Sequence, residues 1–321
     1  MSPAETAPRG ASLIVTGQEH DGDVAVLTLA DPQGGRLPEW APGAHIDLHL
    51  GHGRIRQYSL CGDRTDAGSY RVGVRLEANG TGGSRHLHEN VRVGDLVEFG
   101  GPRNNFRLHP APSYLFLAAG IGITPILPMM AAAERLGIRW RCIVLGRTRA
   151  SVPFLADLEA YGERVRIIET AHEGRPRAEE LLDGADTSTA VYACGPFGFL
   201  EALEDAAAGR PLAAGGLRIE HFTAATATAT APDTAFEVEL VRSGRIVPVA
   251  PGQSILAALR GAGTRLLASC ERGLCGTCDT DVVAGTPDHR DSVLAAHERA
   301  VGDCLMPCVS RSLTPRLALD L

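Results

Sequence analysis

Near one end of the chain, Ser269-Cys270-Glu271-Arg272-Gly273-Leu274-Cys275-Gly276-Thr277-Cys278 sets three thiols at C-x4-C-x2-C, and Cys308 follows thirty residues later. Four thiolates at this spacing hold a 2Fe-2S cluster, three from a tight loop and one from a distant segment. Gly273 and Gly276 suit such a loop. It needs positive φ and room for backbone N–H groups to face sulfur. A structural zinc site would show two separated C-x2-C pairs, and only Cys275 and Cys278 form one. Cys304 lies four residues before Cys308 and competes with it for the fourth position.

The 321 residues are 44% hydrophobic and 21% charged, enough for two or three domains with their own cores. A net charge of −7 argues against a nucleic-acid footprint, and no apolar run reaches the length of a membrane span. The stretch from Met1 to Gly10 lacks an apolar h-region, so a cytoplasmic protein with a disordered tip is expected, without disulfides. All 31 basic residues are Arg, so any phosphate site must use guanidinium groups or backbone amides. Cys61, Cys142 and Cys194 sit in apolar or glycine-rich surroundings and read as small buried hydrophobes.

Residues 1–108 are dominated by short alternating stretches, among them Val24–Leu29, His45–Leu50, Arg54–Leu60, Tyr70–Leu76 and Asp95–Phe99. That period predicts an antiparallel β-sandwich or small β-barrel, interrupted by a helix at Ser84–Glu89 behind Gly82-Gly83. Residues 109–222 change to alternating strands and helices, which predicts a parallel α/β sheet with its ligands at the strands' C-terminal ends. The first of these strands runs into Gly120-Ile121-Gly122-Ile123-Thr124-Pro125. A tight turn there would lead onto a helix, with Thr124 as cap and Pro125 at its first position. Tyr192-Ala193-Cys194-Gly195-Pro196 repeats the strand-to-helix pattern. The first turn reads equally as a dinucleotide cradle or as plain connection, while the second, by its chemistry alone, reads first as a plain strand-to-helix connection. Residues 223–235 are rich in Thr and Ala, cannot pack a core, and predict a linker. Residues 236–321 hold the cysteine loop among strands at Phe236–Leu240, Arg245–Val249, Asp279–Val283 and Cys308-Val309, with a helix at Ser254–Leu259. This is the α+β pattern of a β-grasp.

Taken together, Arg56-Gln57-Tyr58-Ser59-Leu60, Gly82-Gly83-Ser84, Gly101-Pro102-Arg103-Asn104-Asn105-Phe106, Gly120–Pro125, Cys194-Gly195-Pro196 and Asp288-His289-Arg290-Asp291 resemble the phthalate dioxygenase reductase class of iron-sulfur flavoproteins, which includes vanillate O-demethylase reductases. The resemblance covers nearly the whole chain and keeps the order flavin β-barrel, nicotinamide domain, plant-type ferredoxin. It implies that Arg56 contacts the flavin phosphate with Gly82, Gly83 and Ser84. Gln57 and Tyr58 would lie along the flavin, Ser59 at its reactive edge, and the backbone at Val74 and Leu76 at the pyrimidine end. Gly120, Gly122, Thr124 and Pro125 would cradle the dinucleotide pyrophosphate, with Arg147 near the adenosine ribose. Cys194, Gly195 and Pro196 would bound the nicotinamide pocket, and Phe222 would shield the flavin. The C-x-S-R context selects Cys308 over Cys304 as the fourth cluster ligand beside Cys270, Cys275 and Cys278.

The implied activity is reduction by NADH, with NADPH as the alternative donor, through FMN and the 2Fe-2S cluster to a terminal oxygenase. A Rieske-type aromatic oxygenase or demethylase is the favoured partner and a cytochrome P450 the other. The implied state is a monomer that binds neither nucleic acid nor membrane. Two alternatives stand beside this reading: an FAD-containing reductase of the same domain order, and a zinc-stapled, non-catalytic binding module. His45, His49, His86 and His88 read as surface or core residues, since the chemistry needs no acid-base triad.

Overall fold

A computed structural model describes residues 11–51, 54–78, 80, 82–213, 215–222, 233–294 and 296–321. The chain divides into two compact units, 1–222 and 223–321. Of the expected linker, residues 223–232 lie outside the described residues.

In the first unit, strands β1 (Ser12–Asp21), β2 (Val24–Ala30), β3 (His45–His49), β4 (Ile55–Ser59), β5 (Ser69–Arg75) and β6 (Leu96–Arg103) form a sheet in the order β4-β3-β6-β1-β2-β5. Beyond β4, Leu60 bridges Val72 of β5, so the two edges meet and the sheet closes into a barrel. Alternate residues fill it: Leu13 and Val15, Leu27 and Leu29, Ile46 and Leu48, Val72 and Val74. Helix α1 (Gly83–Glu89) begins behind Gly82, whose φ of 86° is open to glycine.

Five parallel strands follow: β7 (Ser113–Ala119), β8 (Arg139–Gly146), β9 (Val165–Glu169), β10 (Thr189–Gly195) and β11 (Leu217–His221), in the order β11-β10-β7-β8-β9. Residues alternate between two cores. Tyr114, Phe116 and Ala118 pack beneath α2 (Leu127–Arg135), whereas Leu115 and Leu117 pack with residues of α4 (Ala178–Leu181) and α5 (Phe197–Ala207). Helix α3 (Leu155–Glu159) lies between β8 and β9 in sequence. Because the chain leaves β7 toward β8 and later returns to its other side as β10, the strand order reverses at the C-terminal ends of β7 and β10. Open α/β sheets bind ligands at such a reversal.

The helix after β7 begins later than the sequence predicts. Gly120–Ile123 forms a 3-10 turn, and α2 starts at Leu127. The reason is Pro128. In a helix opened at Pro125 it would fall where an N–H is needed, whereas a start at Leu127 puts it in the first turn, where a missing donor costs nothing. Thr124 therefore does not open α2; it closes the 3-10 turn, and its hydroxyl donates to the carbonyl of Ile121 at 2.9 Å.

The second unit contains β12 (Phe236–Leu240), β13 (Arg245–Val249), α6 (Ile255–Gly261), β14 (Thr280–Ala284), β15 (Pro287–Asp288), α7 (Ala296–Val301), β16 (Cys304–Leu305), β17 (Arg311–Ser312) and β18 (Arg316–Leu319). Its main sheet runs β13-β12-β18-β14-β16, with β12 and β18 parallel at its centre, the arrangement of a β-grasp. Ser254 caps α6 by accepting the Ala257 N–H at 3.1 Å. Cys308 and Val309 are not a strand. Val309 and Ser310 both donate to the Met306 carbonyl, and that turn presents the Cys308 sulfur.

Candidate functional site

In the second unit the loop after α6 folds round its own sulfurs. The N–H groups of Arg272 and Leu274 both donate to Cys270 Sγ at 3.4 Å, and that of Thr277 donates to Cys275 Sγ at 3.4 Å. Gly273 and Gly276 take φ of 69° and 65°, as the spacing predicts. A Cβ on Gly273 would lie 2.6 Å from Val309 Cγ2 and 3.0 Å from Asp291 Cα, so loop, Cys308 turn and Asp291 segment are in direct contact.

The Cys270 thiol donates to Cys275, which with the Thr277 hydrogen bonds brings the Cys275 pKa down to about 5. Cys278 is lowered first by the thiol of Cys308, and Cys308 is raised by the same bond. Cys270 with Cys275, and Cys278 with Cys308, are thus hydrogen-bonded thiol pairs, one member of each pushed toward the thiolate that a cluster iron requires. Cys304 packs at the rim of the small core that contains Cys278 and Cys308, but its thiol is bonded to an acid and not to another sulfur. Burial, then the charges of Asp279, Asp303 and Glu298, raises it to about 12, and its hydrogen bond is to Asp279. The four sulfurs and the amides aimed at them fit a 2Fe-2S cluster.

Asp288-His289-Arg290-Asp291, without a stated role in the sequence, braces this loop. Ser292 donates its N–H to the Gly273 carbonyl at 2.8 Å, and Asp291 accepts from the Val293 and Leu294 N–H groups. Arg290 pairs with Asp288 at 2.7 Å and Asp233 at 2.6 Å, while buried Arg311 donates to the carbonyls of Thr234 and Gln253.

In the first unit, β4 carries Arg56, Gln57, Tyr58 and Ser59. The Arg56 side chain lies over α1, where a Cβ on Gly83 would come 3.0 Å from its Nε. A Cβ on Gly82 would lie 3.1 Å from Arg54 Nη1. Two guanidinium groups over two bare glycines fit a flavin phosphate in a chain without lysine. Ser84 Oγ accepts the Glu77 N–H at 3.0 Å. Gln57 donates to buried Asp47 at 3.1 Å and meets His45 Nε2 at 3.2 Å, and Asp47 also pairs with Arg103. Burial lowers His45 to about 4, so it is a neutral core residue. His49 is half-exposed beside Glu98. His86 lies in the last turn of α1, and His88 meets the Val74 carbonyl at 2.8 Å. Tyr58 packs against the barrel core, while Leu76, just past β5, is 40% exposed.

At the reversal point the two turns meet. A Cβ on Gly122 would overlap the Cys194 carbonyl and lie 2.8 Å from Gly195 N. Pro196 caps α5 with extended φ and ψ, and Phe222 packs at the rim of the core that contains Cys194 and Ile123. Gly120 has φ of 55°, and Pro125 completes the turn. Arg147 is exposed just beyond β8, with no hydrogen bond or ion pair from its side chain among the described residues. Arg149 is committed to Glu159 and Glu169.

Glu220, at the end of β11, is the functional candidate that sequence reasoning missed. The residue is half-buried, but its carboxylate is turned inward beside Cys194, where it accepts a hydrogen bond from Ser59 and its Oε2 is sealed from solvent with no partner. Burial raises it to about 8 against that hydrogen bond. An acid at the C-terminal end of a parallel strand was the available signal. Its importance comes from Ser59, on a different domain, which no local pattern reveals.

Residues 14–108 match the oxidoreductase FAD-binding domain family and residues 238–313 the 2Fe-2S iron-sulfur cluster binding domain family. The chain is 41% identical over 302 residues to phenoxybenzoate dioxygenase subunit beta of Ectopseudomonas oleovorans, covering 93% of each. Phthalate dioxygenase reductase, described as a modular structure for electron transfer from pyridine nucleotides to 2Fe-2S, aligns with a TM-score of 0.70 and 34% identity over 97% of both chains. The chain belongs to the phthalate dioxygenase reductase family. A type IV self-sufficient cytochrome P450 monooxygenase also aligns, with a TM-score of 0.86 and 39% identity, over 97% of this chain and 41% of that one. This family member is an iron-sulfur flavoprotein oxidoreductase of the oxygenase-reductase type, and the zinc-stapled reading is set aside. No helix among the described residues is long and apolar enough to cross a membrane.

Proposed function

We propose that the chain takes hydride from NADH onto FMN and delivers single electrons through its 2Fe-2S cluster to a terminal oxygenase of the Rieske type. The observation that carries this reading is the contact between the barrel and the end of the parallel sheet: β5 at Gly73 meets Thr124 of the Gly120–Pro125 turn, which crosses the turn at Cys194-Gly195, with Ser59 and Glu220 beside it. A flavin bound there would take two electrons from nicotinamide and release them singly, as a one-electron cluster requires.

The protein supplies position. Arg54, Arg56, Gly82 and Gly83 would hold the phosphate, with Ser84 alongside, and Gln57, Tyr58, Val74 and Leu76 would lie along the ring system. FMN is favoured over FAD by the resemblance at Gly101–Phe106. Gly120, Gly122, Thr124 and Pro125 would receive the pyrophosphate, Cys194, Gly195 and Pro196 the nicotinamide, and Phe222 would exclude water from the ring. Ser59 would lie at the reacting edge, hydrogen-bonded to the Glu220 carboxylate. Cys270, Cys275, Cys278 and Cys308 would ligate the cluster.

Arg147 would meet the 2′-phosphate of NADPH. Its replacement by Asp should therefore lower kcat/KM for NADPH at least ten-fold, on the order of one lost charge-assisted contact, and leave NADH within two-fold. A wild-type preference for NADPH would shift the donor assignment.

Glu220 gives a second expectation. In the unfolded chain it loses its proton near 4.5, in the native state near 8, so native Glu220 holds an extra proton across that window. The stability this contributes is present below 4.5 and lost as pH rises through about 8. Glu220→Gln cannot ionise and should flatten the decline of Tm across the window. Ser59→Ala removes a bond that favours the carboxylate and should move the decline to higher pH. Unchanged Tm profiles in both variants would disprove the pairing.

A P450 as partner is the second reading, favoured by the alignment with the self-sufficient monooxygenase. Mixing the NADH-reduced protein with a Rieske oxygenase and with a P450 from the same genome tests the two. Faster reduction of the P450 would overturn the first.

A further inference from the structure

Phe154 is the described residue whose backbone is hardest to explain by local preference. It has φ of 58° and ψ of 35°, in the left-handed region, and is only 3% exposed. An aromatic side chain enters that region only when its surroundings over-determine it. Those surroundings belong to the barrel. Its N–H donates to Asp21 Oδ2, at the end of β1, at 2.6 Å. Its ring lies 5.0 Å beneath the guanidinium of Arg71 on β5, and Arg71 pairs with Asp157 of α3 at 2.8 Å.

The ring rests on bare backbone. A Cβ on Gly73 of β5 would lie 2.9 Å from Phe154 Cζ and 3.1 Å from Thr124 Cγ2. Gly73 thus receives two groups of the parallel-sheet domain at once, one from the loop before α3 and one from the turn at Gly120–Pro125. Its neighbour Val74 is on the strand assigned above to the flavin ring.

We infer that Phe154 is a positioning residue: its ring, wedged on Gly73 beneath Arg71, and its amide, latched to Asp21, fix the spacing between the flavin strand β5 and the dinucleotide turn. The inference rests on the proposed hydride-transfer reading. A wedge of this kind governs the distance between reacting partners and leaves their separate affinities alone, since it need touch neither cofactor. Small errors of placement cost hydride transfer steeply, because about 1 Å can reduce a rate about 100-fold.

The test uses the full-length, flavin-loaded protein in three variants. Asp21→Ala removes the acceptor for the Phe154 amide at the end of a strand, where folding is least at risk. Gly73→Ala fills the seat of the ring, and Phe154→Gly relaxes the left-handed backbone while removing the wedge. Amide hydrogen exchange at Phe154 in Asp21→Ala is expected to rise at least ten-fold. In anaerobic stopped flow, the limiting rate of flavin reduction by NADH should fall about ten-fold or more in each variant that retains flavin. Flavin content and NADH Kd should stay within two-fold of wild type.

Unchanged exchange in Asp21→Ala overturns the latch. Wild-type limiting rates overturn its role in spacing, as does weaker NADH binding with an unchanged limiting rate. Failure of the wild-type protein to accept hydride from NADH would instead sink the reading beneath it.

Discussion

Cys308→Ser is expected to abolish the iron-sulfur cluster, leaving close to no iron or acid-labile sulfide after anaerobic reconstitution, whereas Cys304→Ser should retain the wild-type content. The expectation follows from what each sulfur is bonded to. Cys308 is hydrogen-bonded to Cys278 and is packed through Val309 against the cysteine loop, while Cys304 is bonded to Asp279 among three acids. A cluster needs four donors, and loss of one leaves an iron open to solvent and removes part of the folding energy of a small domain. The second unit should then also lose thermal stability. The reverse outcome, with Cys304 essential and Cys308 dispensable, would overturn the ligand set.

Gly122→Ala should be nearly as damaging for a different reason. Its Cβ would occupy the space of the Cys194 carbonyl, backbone against backbone, so neither turn can yield by rotating a side chain. Relieving the overlap with the Cys194 carbonyl requires the turns to part by about 1 Å, which disturbs both proposed walls of the dinucleotide site. A loss of about 3 kcal/mol in transition-state binding would lower kcat/KM for NADH about 100-fold. Dithionite, which needs no binding site, should still reduce the flavin at the wild-type rate. An NADH kcat/KM within two-fold of wild type would show that the crossing of these turns does not shape the site.

What could be read from the sequence was whatever is fixed by short-range chemistry. The C-x4-C-x2-C spacing and its two glycines specify a loop whose amides turn toward sulfur, and the structure turns them there. Alternation of period two yields barrel strands, and strands with helices between them yield a parallel sheet, because each pattern states which faces are buried. Strand β18 was missed. Arg316-Leu317-Ala318-Leu319 is four residues long, and its central place between β12 and β14 is conferred by those partners. The positive φ of Phe154 was likewise invisible in Ser151-Val152-Pro153-Phe154. It results from Asp21 and Gly73, far away in the chain. Glu220 belongs to the same class: an ordinary acid in sequence, made unusual by burial beside Cys194 and by a serine on another domain. Sites assembled from several domains lose their sequence signature in this way, since each contributor obeys the rules of its own element.

The division of the chain after Phe222 permits the most direct test of the whole account. Residues 1–222, loaded with flavin, and the full-length protein should be compared for NADH-driven reduction of ferricyanide and of a one-electron protein acceptor such as cytochrome c. Both should reduce ferricyanide at similar rates, and only the full-length protein should reduce cytochrome c rapidly. Equal delivery to cytochrome c by the truncated chain would contradict the account, because electrons would then be leaving without passing through the cluster.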